Sequence, residues 1–276
     1  MEKVKKPTGR APFPAACAAS PARAATLSRI AARVAKERHV QGTDGIGTLG
    51  EKRMHTIIKE LFCADAHYHE VALEGTRYVA DVRMGNEIFE IQTGAFAPMK
   101  KKLDYYLSKT DCTVTVVHPV AVKRQTVWID PTTREIAKQT RPTVAERDRD
   151  LLAALFPLRD LLPHPRLSFH LLYIEAVDFR ILSPRKTSGR GARKYERIPL
   201  ALLGEETFRA PRDFARFLPE ALPAHFTVKD LSLATGIRGV DAYSAARVLL
   251  ALGLIAAAEP IGRAMAFRRT DRNDPV

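Results

Sequence analysis

The stretch Tyr78 to Thr93, YVADVRMGNEIFEIQT, decides the fold. Gly85 and Asn86 read as a two-residue hairpin loop, because both tolerate the positive φ that tight hairpin turns demand. Counting outward pairs Met84 with Glu87, Arg83 with Ile88, Val82 with Phe89 and Asp81 with Glu90. Residues opposed in such a ladder have Cβ atoms roughly 5 Å apart, and like charges at that spacing destabilise unless something sits between them. A divalent cation is the natural remedy. Strand alternation places Gln92 on the face of Glu90 and turns Phe89 and Ile91 to the opposite face, toward a core. The competing reading is an ordinary amphipathic hairpin whose acids face water, the default on a half-buried sheet.

The segments around the hairpin set its context. Leu49 to Phe62 is helical, with Met54, Ile57, Ile58, Leu61 and Phe62 at three-and-four spacing. A short strand near His69 to Leu73 follows, then the two hairpin strands. A helix runs from Pro98 to about Ser108, with proline in its first turn, and a β-branched strand from Thr113 to Val120.

This order of helix, three antiparallel strands, helix and strand resembles the PD-(D/E)XK nuclease superfamily over roughly Gly45 to Val120. The resemblance implies an α/β (α+β) chain with an αβββαβ, restriction-endonuclease-like core. It casts Asp81 and Glu90 as metal-binding acids and Glu51, on the first helix, as an auxiliary acid. Glu51 also fits a capping box, Thr48-x-x-Glu51, in which it would only satisfy a backbone amide. His55, one turn further on, could share the site. Gln92 departs from the family pattern, standing where lysine is usual; an amide can orient a water or phosphate but brings no positive charge.

The implied chemistry is metal-dependent phosphodiester hydrolysis. Asp81, Glu90 and the Ile91 carbonyl would hold Mg²⁺ or Mn²⁺, cations that take hard oxygen ligands and keep several waters. Gln92 would orient the attacking water. Lys100, Lys101 and Lys102 open the next helix, and any of them could stand in for the missing lysine.

Composition agrees with a polyanionic partner. There are 44 Lys plus Arg against 31 Asp plus Glu, a formal charge of +13, which favours nucleic acid or an anionic surface over acidic proteins. No apolar run approaches the roughly 20 residues needed to span a bilayer, so a membrane is not expected as partner. The three cysteines are scattered, without a C-x-x-C pair, which points to a reducing, cytoplasmic setting and away from structural zinc. No P-loop, dinucleotide glycine motif, G-x-S-x-G elbow or H-E-x-x-H is present.

Four segments are expected. Residues 1–44 read as a flexible, basic, Ala- and Arg-rich tail containing one amphipathic candidate helix, Leu27 to Glu37. The nuclease-like core covers 45–140, and an accessory segment with a helix at Leu151 to Leu162 and buried strands at Leu167 to Leu182 covers 141–222. Within it lies a basic loop, 184–199, whose Arg185, Lys186, Arg190, Arg193 and Lys194, with Arg197, could track phosphates beside Tyr195.

The last segment, 223–276, begins with a Thr227-x-x-Asp230 cap, turns at Gly236, and continues through a helix at Val240 to Leu252 and a hairpin at Ile255 to Arg268. It resembles a winged helix-turn-helix domain. The resemblance puts Asp241, Tyr243, Ser244 and Arg247 on the recognition helix and Arg263, Arg268 and Arg269 on or beside the wing. The pair His67-x-His69 lacks further ligands and reads as the entry to a strand.

Two functions follow. One is a metal-dependent DNA nuclease, with RNA as a further substrate class, in which the winged helix grips the duplex and a homodimer would cut both strands. The other is a catalytically inactive nuclease fold serving as a DNA-binding regulator or adaptor.

Overall fold

The computed structural model describes residues 13–37, 50–144, 146–183 and 192–270. Helices α1 (Pro21–Glu37) and α2 (Gly50–Phe62) lead into strands β1 (His69–Ala72), β2 (Val79–Met84) and β3 (Glu87–Ile91). Helix α3 (Lys100–Lys109) crosses to β4 (Thr113–Ile129), followed by the short β5 (Ile136–Gln139) and β6 (Thr143–Val144). One helical turn, α4 (Leu151–Ala154), precedes the long strands β7 (Leu167–Ile181) and β8 (Arg193–Phe208). The chain closes with β9 (His225–Thr227), α5 (Val228–Thr235), α6 (Val240–Ala251), β10 (Ile255–Ile261) and β11 (Ala264–Arg269). Strands pair in the order β1-β2-β3-β4-β7-β8, with β5 and β6 also on β4, and a second sheet runs β10-β11-β9. This is a mixed α and β protein, as expected.

The chain divides into two compact units that interleave in sequence. One comprises Glu51–Pro119, Arg149–Leu171 and Glu206–Val276. Its hairpin has the register read from the turn: Met84 opposite Glu87, Arg83 opposite Ile88, Val82 opposite Phe89. Gly85 sits at φ 60°, the conformation its position demands. β3 and β4 run parallel, Glu90 opposite Val116, so α3 is the crossover that a parallel pair requires. The apolar stripe of α2 is buried through Met54, Ile57, Ile58 and Leu61.

The C-terminal end of α3 is held by Arg166, whose guanidinium donates to the carbonyls of Leu107, Thr110 and Cys112. A guanidinium there satisfies carbonyls that have no partner inside the helix. In the same unit Thr227 and Asp230 form the foreseen capping box, Gly236 ends α5 at φ 73°, and α6 leads into a hairpin closed at Ile261 and Ala264.

The helix expected over Leu151 to Leu162 is shorter than the pattern suggested. Only Leu151–Ala154 is α-helical; Phe156–Leu158 is a 3₁₀ turn, because Pro157 has no amide to continue the ladder. Strand β4 is longer than expected, while β7 spans the range expected for buried strands at Leu167 to Leu182. β4 runs past Val120 to Ile129, carried by buried Ala121, Val122 and Val127.

The other unit comprises Met1–Gly50, Val120–Asp148 and Leu172–Glu205. It corrects the expectation of a flexible tail, since side chains between Phe13 and Val34 are packed. Leu27, Ile30, Ala31 and Val34 of α1 are buried, Phe13 stacks on Tyr173 at 4.7 Å, and Arg23 pairs with Glu205 at 3.2 Å. Ala18 bridges to Gly204, where a Cβ would come within 2.5 Å of the Cys17 carbonyl oxygen; only glycine permits that approach.

The basic loop is corrected in part as well. Arg193 and Lys194 are exposed residues at the start of β8, while Arg185, Lys186 and Arg190 lie outside the described residues. Arg197 does not track a surface. It forks onto buried Asp178 at 2.5 and 3.1 Å and reaches Glu146 at 2.9 Å, with Arg124 flanking both acids at 3.5 Å.

Candidate active site

The hairpin brings Asp81 and Glu90 together inside the protein, not in water. Glu90 is only 4% exposed. Its Oε1 accepts from the Tyr106 hydroxyl at 3.0 Å and its Oε2 lies 2.5 Å from Lys102 Nζ, both side chains coming from α3. Asp81 Oδ2 accepts from the Ile91 amide at 2.7 Å and lies 3.1 Å from His55 Nε2 on α2. On the other side of Asp81 the β1–β2 register, His69 opposite Val82 and Val71 opposite Ala80, sets Glu70 directly across. Glu70 has a left-handed φ of 52° and is bound at 2.8 Å by the ammonium of the buried Lys59.

These environments separate the two central acids. Burial, and then repulsion from Asp81, push Glu90 up to about 7 against the pull of Lys102 and Tyr106. For Asp81 burial again acts upward as the largest influence. The hydrogen bond and charge of His55, the Ile91 amide and Lys102 together outweigh it and hold the group below its ordinary value. Glu70 is also lowered, by the hydrogen bond and charge of Lys59. Tyr106 is raised by burial and by Glu90, so its hydroxyl is a permanent donor. Two neighbouring carboxyls tuned apart in this way can hold one proton between them near neutrality, an arrangement suited to proton exchange.

Hard carboxylate oxygens that crowd each other suit a small divalent cation. Asp81 and Glu90 supply them, and the repulsion that raises Glu90 is what a cation between them would relieve. Among the described residues no group of three or more His, Cys, Asp and Glu side chains forms a metal cage. The candidate is a two-carboxylate site completed by water and substrate.

The remaining expected residues divide clearly. Glu51 lies in α2, but its side chain falls outside the described residues. The Gln92 side-chain amide donates to the Ala95 carbonyl at 2.5 Å, and its backbone carbonyl accepts from His118 Nδ1 at 2.6 Å, so it braces the turn after β3. Lys100 pairs with Asp160 at 3.2 Å, Lys101 is exposed, and Lys102 alone reaches the acids.

Sequence could have singled Lys102 out. It stands three residues after Met99 and four before Tyr106, both buried, so it belongs to the inward stripe of α3. Lys59 shows in the sequence only as a charged position beside the apolar stripe of α2, and Glu70, in β1, carried no such mark. His67 and His69 are structural: Asp65 caps the His67 amide, and His69 Nε2 lies 2.8 Å from the Cys63 carbonyl. Far from these acids in sequence, Arg247 and Arg263 are exposed on α6 and at the β10–β11 tip, while Arg268 is half-buried beside the Arg269 carbonyl.

Residues 52–209 match the family model described as a domain of unknown function, DUF8091. The chain belongs to this family. The DUF8091 match takes in every acid and lysine of the site except Glu51, and it ends before β9. An uncharacterized protein of Treponema pallidum (strain Nichols) is 28% identical over 234 residues, covering 83% of this chain and 89% of the relative. No solved structure matches. No helix among the described residues is long and apolar enough to cross a membrane.

Proposed function

We propose that this DUF8091 protein is a metal-dependent nuclease of the PD-(D/E)XK type, acting on DNA in the cytoplasm. The observation that carries the reading is the Lys102–Glu90 contact of 2.5 Å beside Asp81. It restores, from the following helix, the positive charge that the D…E-x-Q pattern lacks. Asp81 and Glu90 would hold Mg²⁺ or Mn²⁺, which when bound supplies a more acidic water and a counter-charge for phosphate oxygens.

The chain's own groups do the rest. Lys102 Nζ sets a positive charge at Glu90 Oε2 and would draw a phosphate oxygen to the carboxyl pair. Tyr106 fixes the Glu90 rotamer, while His55 and the Ile91 amide fix Asp81. Gln92 holds the turn from which α3 departs instead of meeting substrate. The segment from Phe226 to Thr270, by its resemblance to a winged helix, would grip duplex DNA through exposed Arg247 and Arg263.

A second reading has its own support. Both Glu90 oxygens already have protein partners, as expected of a nuclease fold that has become a DNA-binding regulator. Cleavage of supercoiled plasmid with Mn²⁺ by wild type and Lys102→Met separates the two. The nuclease reading requires cutting that the substitution removes; well-folded wild type that binds DNA without cutting it supports the regulator.

A further inference from the structure

Beside the carboxyl pair, α3 carries two Lys–Tyr pairs at helical spacing. Lys102 and Tyr106 face inward to Glu90, and Lys101 and Tyr105 lie one position round, on the more exposed side. Tyr105 is half-buried and packs against Tyr78, at the foot of β2, with ring centroids 5.2 Å apart. Tyr78 in turn lies 6.4 Å from Tyr106, and its hydroxyl reaches the Lys101 carbonyl at 3.5 Å. The exposed Arg77 places its guanidinium 5.9 Å from the Tyr78 centroid. An aromatic and cationic ladder thus leads from the surface to the ring whose hydroxyl holds Glu90.

Packing alone does not require this composition. Tyr78 and Tyr105 are each half-buried, so the ladder keeps part of both rings exposed, flanked by Arg77 and Lys101. Base faces stack on aromatic rings irrespective of sequence, while neighbouring Lys and Arg engage the phosphates. A paired base has both faces occupied by its neighbours and could not use these rings without leaving the stack.

Resting on the nuclease reading, we infer that Tyr78 and Tyr105 form a stacking platform for an unpaired base next to the phosphate to be cut. The substrate class is therefore single-stranded or locally unpaired DNA. Arg77 and Lys101 hold the flanking phosphates. The protein discriminates between single strand and duplex at this ladder and not at the carboxyl pair.

The test is fluorescence anisotropy in EDTA with the full chain, using labelled oligothymidylate of about 15 nucleotides and a duplex of the same length. Tyr105→Leu and Tyr78→Leu should each weaken single-strand binding by about 5- to 150-fold, the range for losing one stacked base, and leave duplex binding within about twofold. Tyr105→Phe and Tyr78→Phe keep the ring and should bind the single strand like wild type, which guards against a simple folding defect. Equal losses on both probes, no loss with leucine, or wild type that ignores the single strand would each overturn the proposal. Because cleavage is not read, an inactive wild type would count against the nuclease reading alone.

Discussion

Replacing Glu90 by glutamine should change how stability depends on pH, and by an amount that follows from the site. The folded-state value of about 7 lies above the ordinary 4.5, so the folded protein holds a proton on Glu90 that the unfolded chain has released. The stability this contributes is fully present below pH 4.5 and is lost as pH rises through 7. At 1.36 kcal/mol per pH unit, the interval corresponds to roughly 3 kcal/mol for this buried group. Asp81 acts in the opposite sense. Its lowered value contributes stability present above 3.8 and lost only as pH falls below it, outside the window of interest.

Urea unfolding in EDTA between pH 5 and pH 8.5 would therefore show wild type losing about 3 kcal/mol relative to Glu90→Gln. Glutamine keeps an acceptor for Tyr106 and does not titrate. Parallel pH profiles for the two proteins would refute the reasoning, because they would mean that Glu90 is ionised at no unusual cost. Asp81→Asn, which removes the repelling charge, should shrink the wild-type loss without abolishing it.

Other substitutions test the supporting structure. Lys102→Met should lower cleavage about 10²- to 10³-fold, the effect of removing one charged group from a reacting centre, while Lys100→Met should leave plasmid-cutting rates within about twofold. Arg166→Ala leaves the end carbonyls of α3 without their donor and should cost roughly 2–3 kcal/mol by urea unfolding. Asp178→Ala removes one of the two acids that Arg197 holds and leaves it Glu146, and should cost about 1–3 kcal/mol by the same measurement. Thr227→Ala removes the cap of α5 and should cost about 1 kcal/mol, read as a lowered thermal midpoint.

The hairpin and its acids were legible in the sequence because a two-residue Gly-Asn loop leaves one register, and register determines which side chains meet. The capping box at Thr227 was legible for the same reason: its signal is local. Lys102 was harder to see. Three consecutive lysines look alike until the burial of Met99 and Tyr106 shows which one turns inward. Burial of the acids was also hidden, since alternation along one hairpin cannot reveal that α2 and α3 supply His55, Lys102 and Tyr106 to that face. The packing between Phe13 and Val34 was missed because this stretch's Ala- and Arg-rich composition suggests solvation, whereas Leu27, Ile30 and Val34 form a stripe that needs only one partner surface. Pro157 was the overlooked signal that shortened α4.

Cleavage of supercoiled plasmid and of labelled single-stranded DNA by wild type and Asp81→Ala, with Mg²⁺, Mn²⁺ or EDTA, tests the central claim most directly. The account predicts cutting by wild type that needs the cation and disappears in the variant, with DNA affinity retained. Undiminished cutting by Asp81→Ala, or no cutting of either substrate by well-folded wild type, would contradict it.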